Sequence, residues 1–372
     1  MNIINKRILL VSPQAWGDYF VSKHHYAKEL SKNGNQVYFL NPPNNIIENK
    51  INVKNIDSNG NLFIIDYLDF SKGKRFMPAM LNGKLIRKQI NNIEGYLNIN
   101  FDILWNFETS RFFNMSYLRK DILKILHLVD YNSTHNIKLA SKTADICFCT
   151  TDYLKNKLLK FNINSFKINH GWQGPIKSYL NSISNSNKIK IGYLGNLTIQ
   201  YIDWNLIYKI ISQHENIEFY FFGPRTSSHL SPKSILSNKI ITKLSQLDNV
   251  FFYGPIRSDE IYGYLKQMDA NIIVYTPDKH KEQLSNPHKI MEYLGSGKII
   301  ISTYTDELKY HTDMVEMSNI NSDYVNLFKQ VINNLEFYNS SENQNKRITY
   351  AQKHLYQRQL EKIFHFIKCL TI

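Results

Sequence analysis

Short apolar runs bounded by polar, Gly or Pro residues alternate with longer amphipathic stretches along most of the chain. Runs this short read as buried strands, and the stretches between them as helices. Arg7 to Ser12 is predicted to be a strand. His24 to Lys32 is predicted to be a helix, with Tyr26, Ala27 and Leu30 on one side, stopped by Asn33-Gly34-Asn35. Gln36 to Leu40 follows as a second strand, closed by Asn41-Pro42-Pro43. A strand-loop-helix-strand opening of this kind predicts a doubly wound α/β sheet. The first loop lacks GxGxxG, so nothing there supports a dinucleotide fingerprint.

Leu62 to Ile65, Asp102 to Phe107, Lys124 to Val129, Asp145 to Cys149 and Phe166 to Ile168 are further predicted strands. The later four end in polar residues: Glu108-Thr109-Ser110, Asp130-Tyr131-Asn132, Thr150-Thr151-Asp152 and Asn169-His170-Gly171. Polar groups at the carboxyl ends of parallel strands line the crevice where ligands bind. The stretch from about Trp172 to Asn187, rich in Ser and Asn, reads as a linker. The pattern then restarts. Lys190 to Gly195, Ile217 to Gly223, Val250 to Gly254 and Ala270 to Tyr275 are predicted strands; Trp204 to Gln213 and Ser258 to Gln267 are predicted helices. Beyond about residue 322 the chain reads as helical, with Leu355, Ile363, Phe364 and Ile367 forming an apolar stripe among basic residues.

Length and charge sharpen this picture. A chain of 372 residues suits two domains. Its 45 Lys and Arg against 31 Asp and Glu give a formal charge of +14. That excess points to an anionic partner: a nucleotide sugar, an acidic membrane surface or nucleic acid. Lys72, Lys74, Arg75, Lys84, Arg87 and Lys88 occur with no acidic residue between them, and Met77, Met80, Leu81, Leu85 and Ile86 recur at helical spacing. The segment reads either as a basic amphipathic helix lying on an anionic membrane or as a core-packed helix with a solvated basic face. Cys147, Cys149 and Cys369 are odd in number and lack zinc-ligand spacing, so free, buried thiols are expected at the first two. No apolar run approaches the length of a membrane span, and the expected location is cytoplasmic, with peripheral contact at the inner face of the plasma membrane only under the first of these two readings of the basic segment.

One stretch carries chemistry. In Asn286 to Thr303, Pro287 marks a helix start, Lys289 and Glu292 share a helix face, Gly295 and Gly297 end the helix, and Ile299 to Ile301 begin a strand. A cation and a carboxylate at a helix N-terminus on a parallel sheet suit a diphosphate and a ribose. The same residues also suit an ordinary αβ unit with a surface ion pair.

Three blocks together carry a resemblance: Tyr193-Leu194-Gly195-Asn196-Leu197 with Ile202-Asp203-Trp204; Asn249 to Pro255 through Tyr264-Leu265 to Met268-Asp269-Ala270; and Asn286-Pro287 through Lys289 and Glu292-Tyr293-Leu294 to Ser302-Thr303. In this order the chain resembles the glycosyltransferases of the GT-B fold. It is most similar to bacterial surface-polysaccharide enzymes of the group 1 and xanthan glucuronosyltransferase-like kind. The resemblance implies an α/β chain of two Rossmann-like domains facing a cleft. Residues 1–175 would form the acceptor domain, 188–349 the donor domain, and a helix over about 350–372 would return to the first. It implies that Glu292 binds the donor ribose and Lys289 its diphosphate. Gly254 and Pro255 would approach the base, Gly195 and Asn196 would lie beneath the diphosphate, and Arg225 would be a second phosphate ligand. The donor is expected to be UDP-linked, with no further cofactor and no metal. Lys289, helix dipoles and backbone amides would then stabilise the leaving diphosphate.

Many retaining members carry a pair of glutamates at fixed spacing here. The earlier position is Leu284, and Glu282 stands two residues before it. That departure favours an inverting enzyme, whose general base would come from the first domain. Asp130 is the first choice, with Asp18, Glu108, His127 and His170 as alternatives; His170 is also placed to face the donor's sugar or phosphate. His24-His25 reads as a solvated pair, and Trp16 as either an acceptor platform or a core residue. The implied activity is sugar transfer to a glycan or lipid-linked acceptor in capsule, exopolysaccharide or lipopolysaccharide O-antigen synthesis. A nucleotide-sugar epimerase of the same fold is the alternative. A basic nucleic-acid-binding or scaffold protein is a lesser one, because no nucleic-acid motif is visible.

Overall fold

The structure, a computed structural model, describes residues 3–44, 50–69, 73–131, 136–176, 183–225, 235–276 and 286–370. The chain divides into two compact units: Met1–His170 with Tyr356–Ile372, and Gly171–Leu355.

In the first unit, β1 (Arg7–Val11), α1 (Ser22–Lys32), β2 (Gln36–Leu40), β3 (Ile51–Asn55), β4 (Leu62–Tyr67) and α2 (Ala79–Leu97) come first. They are followed by β5 (Ile103–Asn106), β6 (Leu123–Leu128), α3 (Ile137–Thr143), β7 (Ile146–Cys149), α4 (Asp152–Leu159) and β8 (Ser165–Lys167). The sheet runs β3-β4-β2-β1-β5-β6-β7-β8 and is parallel except for the β3–β4 pair. Its central strands are apolar on both faces because both faces are covered. Leu9 and Val11 of β1 join one core with Ile86, Ile90 and Ile93 of α2. Ile8 and Leu10 join the other with Tyr26, Leu30, Leu360, Ile363 and Ile367. The last three belong to the terminal helix (Tyr356–Leu370), which packs against α1 within this unit. Leu355 lies outside that helix and packs in the second unit, so the expected apolar stripe begins one turn later.

Strand β3 escaped the sequence reading because its Asn-Val-Lys-Asn tail is largely exposed. The α2 pattern also differs from expectation. Met80 and Leu81 point outward, while Ile86, Ile90 and Ile93 bury. Asn82 sets this rotation: buried in the first turn, it donates to the Arg111 carbonyl at 2.8 Å and accepts from Asn114 N at 3.1 Å. Cys147 and Cys149 are free and buried in β7, and burial pushes both thiols up to about 12.

The second unit contains β9 (Ile189–Leu194), α5 (Trp204–Ser212), β10 (Ile217–Phe222), α6 (Ile235–Leu244), β11 (Val250–Gly254), α7 (Ile261–Lys266) and β12 (Ala270–Ile273). Then come α8 (Lys289–Ser296), β13 (Ile299–Thr303), β14 (Val315–Ser318), α9 (Tyr324–Ile332), α10 (Leu335–Tyr338) and α11 (Ser341–Gln352); the terminal helix of the first unit is therefore α12. The sheet is fully parallel, ordered β11-β10-β9-β12-β13-β14. The chain builds outward from β9 to one edge and then returns to build the other. The reversal between β9 and β12 is the switch point at which open α/β sheets leave a crevice. Among the described residues, no helix is long and apolar enough to cross a membrane.

A buried arginine ties α11 to the rest of this unit. The Arg347 guanidinium donates to the carbonyls of Met314 at 3.0 Å, Gly297 at 2.9 Å and Tyr338 at 2.7 Å. Burial lowers its pKa to about 10, with Glu316 and Asp313 opposing. Replacing it by Met leaves buried carbonyls without donors, which costs about 3 kcal/mol or more. Denaturant unfolding of Arg347→Met is expected to show that loss at unchanged slope; a loss below about 1 kcal/mol would mean the network contributes little.

Candidate functional site

At the carboxyl edge of the second sheet, three strand ends are joined through glycine. Gly195 N donates to Phe222 O at 2.8 Å, Leu197 N to Pro224 O at 3.0 Å, and Gly223 N to Gly254 O at 2.7 Å. Gly195 and Gly223 have φ of 140° and 146°, a region that L side chains rarely enter. A Cβ on Gly223 would stand 1.9 Å from the carbonyl oxygen of Gly195, so the two backbones meet only because Gly223 carries none. Gly223 is a constituent that the sequence reading passed over as a strand end.

Helix α8 starts across the switch point from this turn. Its start is one residue beyond Pro287–His288, and Gly297, with φ 77°, closes it; Gly295 lies within the last turn. Tyr293 bolts the helix to the two central strands. Its hydroxyl accepts from Leu194 N at 2.7 Å and donates to Ile272 O at 3.4 Å. That anchor places Lys289 at the glycine turn. A Cβ on Gly195 would lie 2.8 Å from Lys289 Nζ. Lys289 is only 3% exposed, and its ammonium has no hydrogen-bond partner among the described residues. It faces the Tyr193 ring at 3.9 Å and the Tyr275 ring at 5.2 Å. Burial alone holds its pKa well below the ordinary lysine range. Ring faces offset only part of the cost of burying an ammonium.

Glu292 stands one turn on and makes no ion pair with Lys289, so the surface-pair alternative does not hold. Its carboxyl is shielded, and burial raises its pKa to about 7, with the Trp172 indole N–H pulling the other way. Trp172 packs over α8 at Gly295, where a Cβ would come within 2.3 Å of its ring. The sequence placed Trp172 in a linker. It is buried, and its backbone N–H donates to His354 O at 2.8 Å.

The other expected donor residues are arranged around this turn. Asn196 holds the loop itself, its Oδ1 accepting from the N–H and the hydroxyl of Thr198, both at 2.9 Å. Arg225 is exposed and lies over the Phe252 ring at 5.1 Å. Gly254, with φ 73°, has no heavy atom within 4 Å of where a Cβ would be, and Pro255 is exposed beside it. Glu282 and Leu284 lie outside the described residues.

The first unit has its own cluster at the carboxyl edge. Asp130, just past β6, is exposed. Lys23 of α1 is buried, donates to Gln14 Oε1, and is lowered to about 8 by burial against the pull of Asp130 and Glu108. For Glu108, burial favours the neutral acid, but Arg111 at 2.9 Å and the Ser110 hydroxyl and amide outweigh it and hold the pKa below the ordinary value. His127 is buried, accepts from the Trp105 indole at 3.4 Å, and is lowered to about 3 by burial, then by His170 and Lys23. His170 is buried, and its carbonyl accepts from Gln359 at 3.4 Å. His24 and His25 are buried rather than solvated. His24 Nδ1 accepts from Val21 N at 3.2 Å, which leaves Nε2–H to meet the Ala15 carbonyl at 3.1 Å. The ring is thus neutral, and burial lowers its pKa to about 4. Trp16 is half-buried against Phe20, His24 and Phe39. Lys23 and Arg111 were not singled out from the sequence, where each is one of many cations.

Two parallel, helix-flanked sheets, with a final helix returning to the first, make the GT-B fold of glycosyltransferases. No family model and no curated protein matches the sequence. Solved structures do. Sucrose-phosphate synthase from Thermosynechococcus elongatus is 10% identical, with a TM-score of 0.69 over 98% of this chain and 99% of that one. HepE of Anabaena in complex with UDP-glucose is 13% identical, with 0.69 over 98% and 100%. A glycosyltransferase from Rickettsia africae is 14% identical, with 0.63 over 99% of each. The likeness is one of fold.

Glu292 gives a pH signature. With its folded pKa raised, it destabilises the protein as pH climbs from the unfolded carboxylate range through about 7, and not below that range. Glu292→Gln is expected to melt above the parent at pH 8 and level with it near pH 4.5. A difference independent of pH would refute the buried-carboxyl account.

Proposed function

We propose that the protein is a nucleotide-sugar glycosyltransferase that binds its donor, a UDP-sugar, at the carboxyl edge of the second unit. One observation carries this: among the described residues the Lys289 ammonium is buried without a counter-ion, beside a glycine turn and in the first turn of a helix. A diphosphate supplies the missing anion, the N-terminal amides of α8 add to the same field, and Glu292 can accept from ribose hydroxyls. HepE was solved with UDP-glucose, which supports the choice of donor.

In the proposed reaction an acceptor hydroxyl oxygen forms a bond to the anomeric carbon as the bond from that carbon to the diphosphate oxygen breaks. UDP leaves with the electron pair, and Lys289 neutralises the charge that develops on it. The acceptor is a glycan or lipid-linked glycan of a surface polysaccharide, and Asp130, exposed at a strand end of the first unit, takes the hydroxyl proton. His170 supports the same edge from within. This reading is inverting. A trehalose-6-phosphate synthase of the same fold transfers with retention, which favours a second reading in which the leaving diphosphate oxygen itself takes the hydroxyl proton. The anomeric configuration of the product, read by proton NMR, separates them.

Lys289→Met gives a test in two parts. Without nucleotide it is expected to melt about 5 °C higher than the parent, because a buried unpaired charge is gone. Its UDP affinity, by calorimetry, is expected to fall on the order of a hundredfold. Unchanged UDP affinity would remove Lys289 from the site.

Asp130→Asn is expected to abolish transfer and leave UDP affinity within about twofold of the parent, because the acid–base step is separate from donor binding. Near-normal turnover would remove Asp130 as base. Conversion of the sugar nucleotide without any acceptor would favour the epimerase instead.

A further inference from the structure

The first unit presents an outward face that neither the fold nor the donor site uses. Along α2 the exposed positions run Met80, Leu81, Lys84, Arg87, Lys88, Asn91, Asn92 and Tyr96, a single stripe at helical spacing. Arg75 and Phe76 precede it, with the Arg75 guanidinium 4.5 Å from the Phe76 ring. Phe76 is 78% exposed, Met80 59%, Leu81 46% and Tyr96 60%. Solvent normally drives such side chains inward, and here a cluster of them stands beside four cations.

Among the described residues of α2 and the turn before it, the face carries no opposing charge. Glu94 is the one acidic residue in α2, and it turns inward: Phe101 N donates to it at 2.8 Å and Arg119 pairs with it at 3.3 Å. Lys74 is buried and spent on Asp69. The orientation is fixed, because Asn82 anchors the opposite side of the same turn. The helix also walls a groove of about 970 Å³ against the β3–β4 edge, which Lys50, Leu85, Lys88 and Tyr96 help to line.

We propose that this face docks on an anionic phospholipid bilayer. Arg75, Lys84, Arg87 and Lys88 meet the headgroups, while Phe76, Met80 and Leu81 enter the interface and Tyr96 sits at headgroup level. Charge alone would suit any polyanion. The apolar cluster at the end of the stripe favours a bilayer, which can bury it; a polysaccharide or phosphate backbone leaves it in water. Each cation near an anionic surface contributes about fivefold in affinity.

The test is cosedimentation of the full chain with phosphatidylcholine vesicles, with and without phosphatidylglycerol. The parent is expected to bind only the anionic vesicles, and less as salt rises. The triple variant K84Q/R87Q/K88Q is expected to lose on the order of a hundredfold, and F76S/M80S a further share that salt does not restore. These positions are exposed, so an unchanged melting temperature and UDP affinity confirm the fold. The matched variant K239Q/K243Q/K266Q, in exposed positions of the second unit, is expected to bind like the parent. Equal losses in both triple variants would show net charge alone at work and overturn the proposal. So would equal binding to neutral vesicles, or retention on RNA or heparin with none on vesicles. Vesicle binding does not depend on transfer, so its failure leaves the transferase reading untouched.

Discussion

A buried ammonium with no counter-ion among the described residues is the constraint around which the second unit is arranged. Lys289 reaches its position because α8 begins at the switch point, and α8 begins there because Tyr293 spans the ends of β9 and β12. The ammonium fits only because Gly195 leaves room for it, and Gly195 holds its backbone only because Gly223 lets the neighbouring strand end approach. Changing any of these moves the charge. Among the described residues nothing offsets the burial of that cation except tyrosine rings, a poor substitute for water. Sites that spend stability in this way are commonly ligand sites.

Much of this was legible in the sequence. Short apolar runs closed by Gly, Asn or Asp located most of the parallel strands, because a sheet covered on both faces needs continuous apolar strands. Lys289 and Glu292 stood out through their spacing after Asn286-Pro287. What was not legible depended on tertiary packing. Trp172 lies in a Ser- and Asn-rich stretch, and only the notch at Gly295 shows that it belongs against α8. Lys23 and the pair His24-His25 look like surface residues because their neighbours are polar, yet α1 presents that end of itself to the sheet. The β3 strand is too polar to be seen, and the rotation of α2 is set by Asn82, whose partners come from a later loop.

The two units apply the same geometry to different ends. In each, a parallel sheet reverses its strand order, and charge gathers at the carboxyl edge beside the reversal. In the second unit the buried charge at the turn is Lys289, an ammonium with no hydrogen-bond partner among the described residues. In the first, Lys23 with Gln14 and Glu108 with Arg111 are already partnered, and a carboxylate, Asp130, is left facing solvent. An edge with its cations satisfied and a carboxylate exposed suits a neutral, hydroxyl-bearing ligand better than an anion. That contrast is the physical basis for the proposal that the donor binds one unit and the acceptor the other.

A crystal structure with UDP bound addresses the central claim most directly. The account predicts a diphosphate oxygen within hydrogen-bond distance of Lys289 Nζ, the ribose hydroxyls on Glu292, and the Gly195 turn beneath the diphosphate. UDP bound elsewhere, or a Lys289 ammonium still meeting only the tyrosine rings, would contradict it.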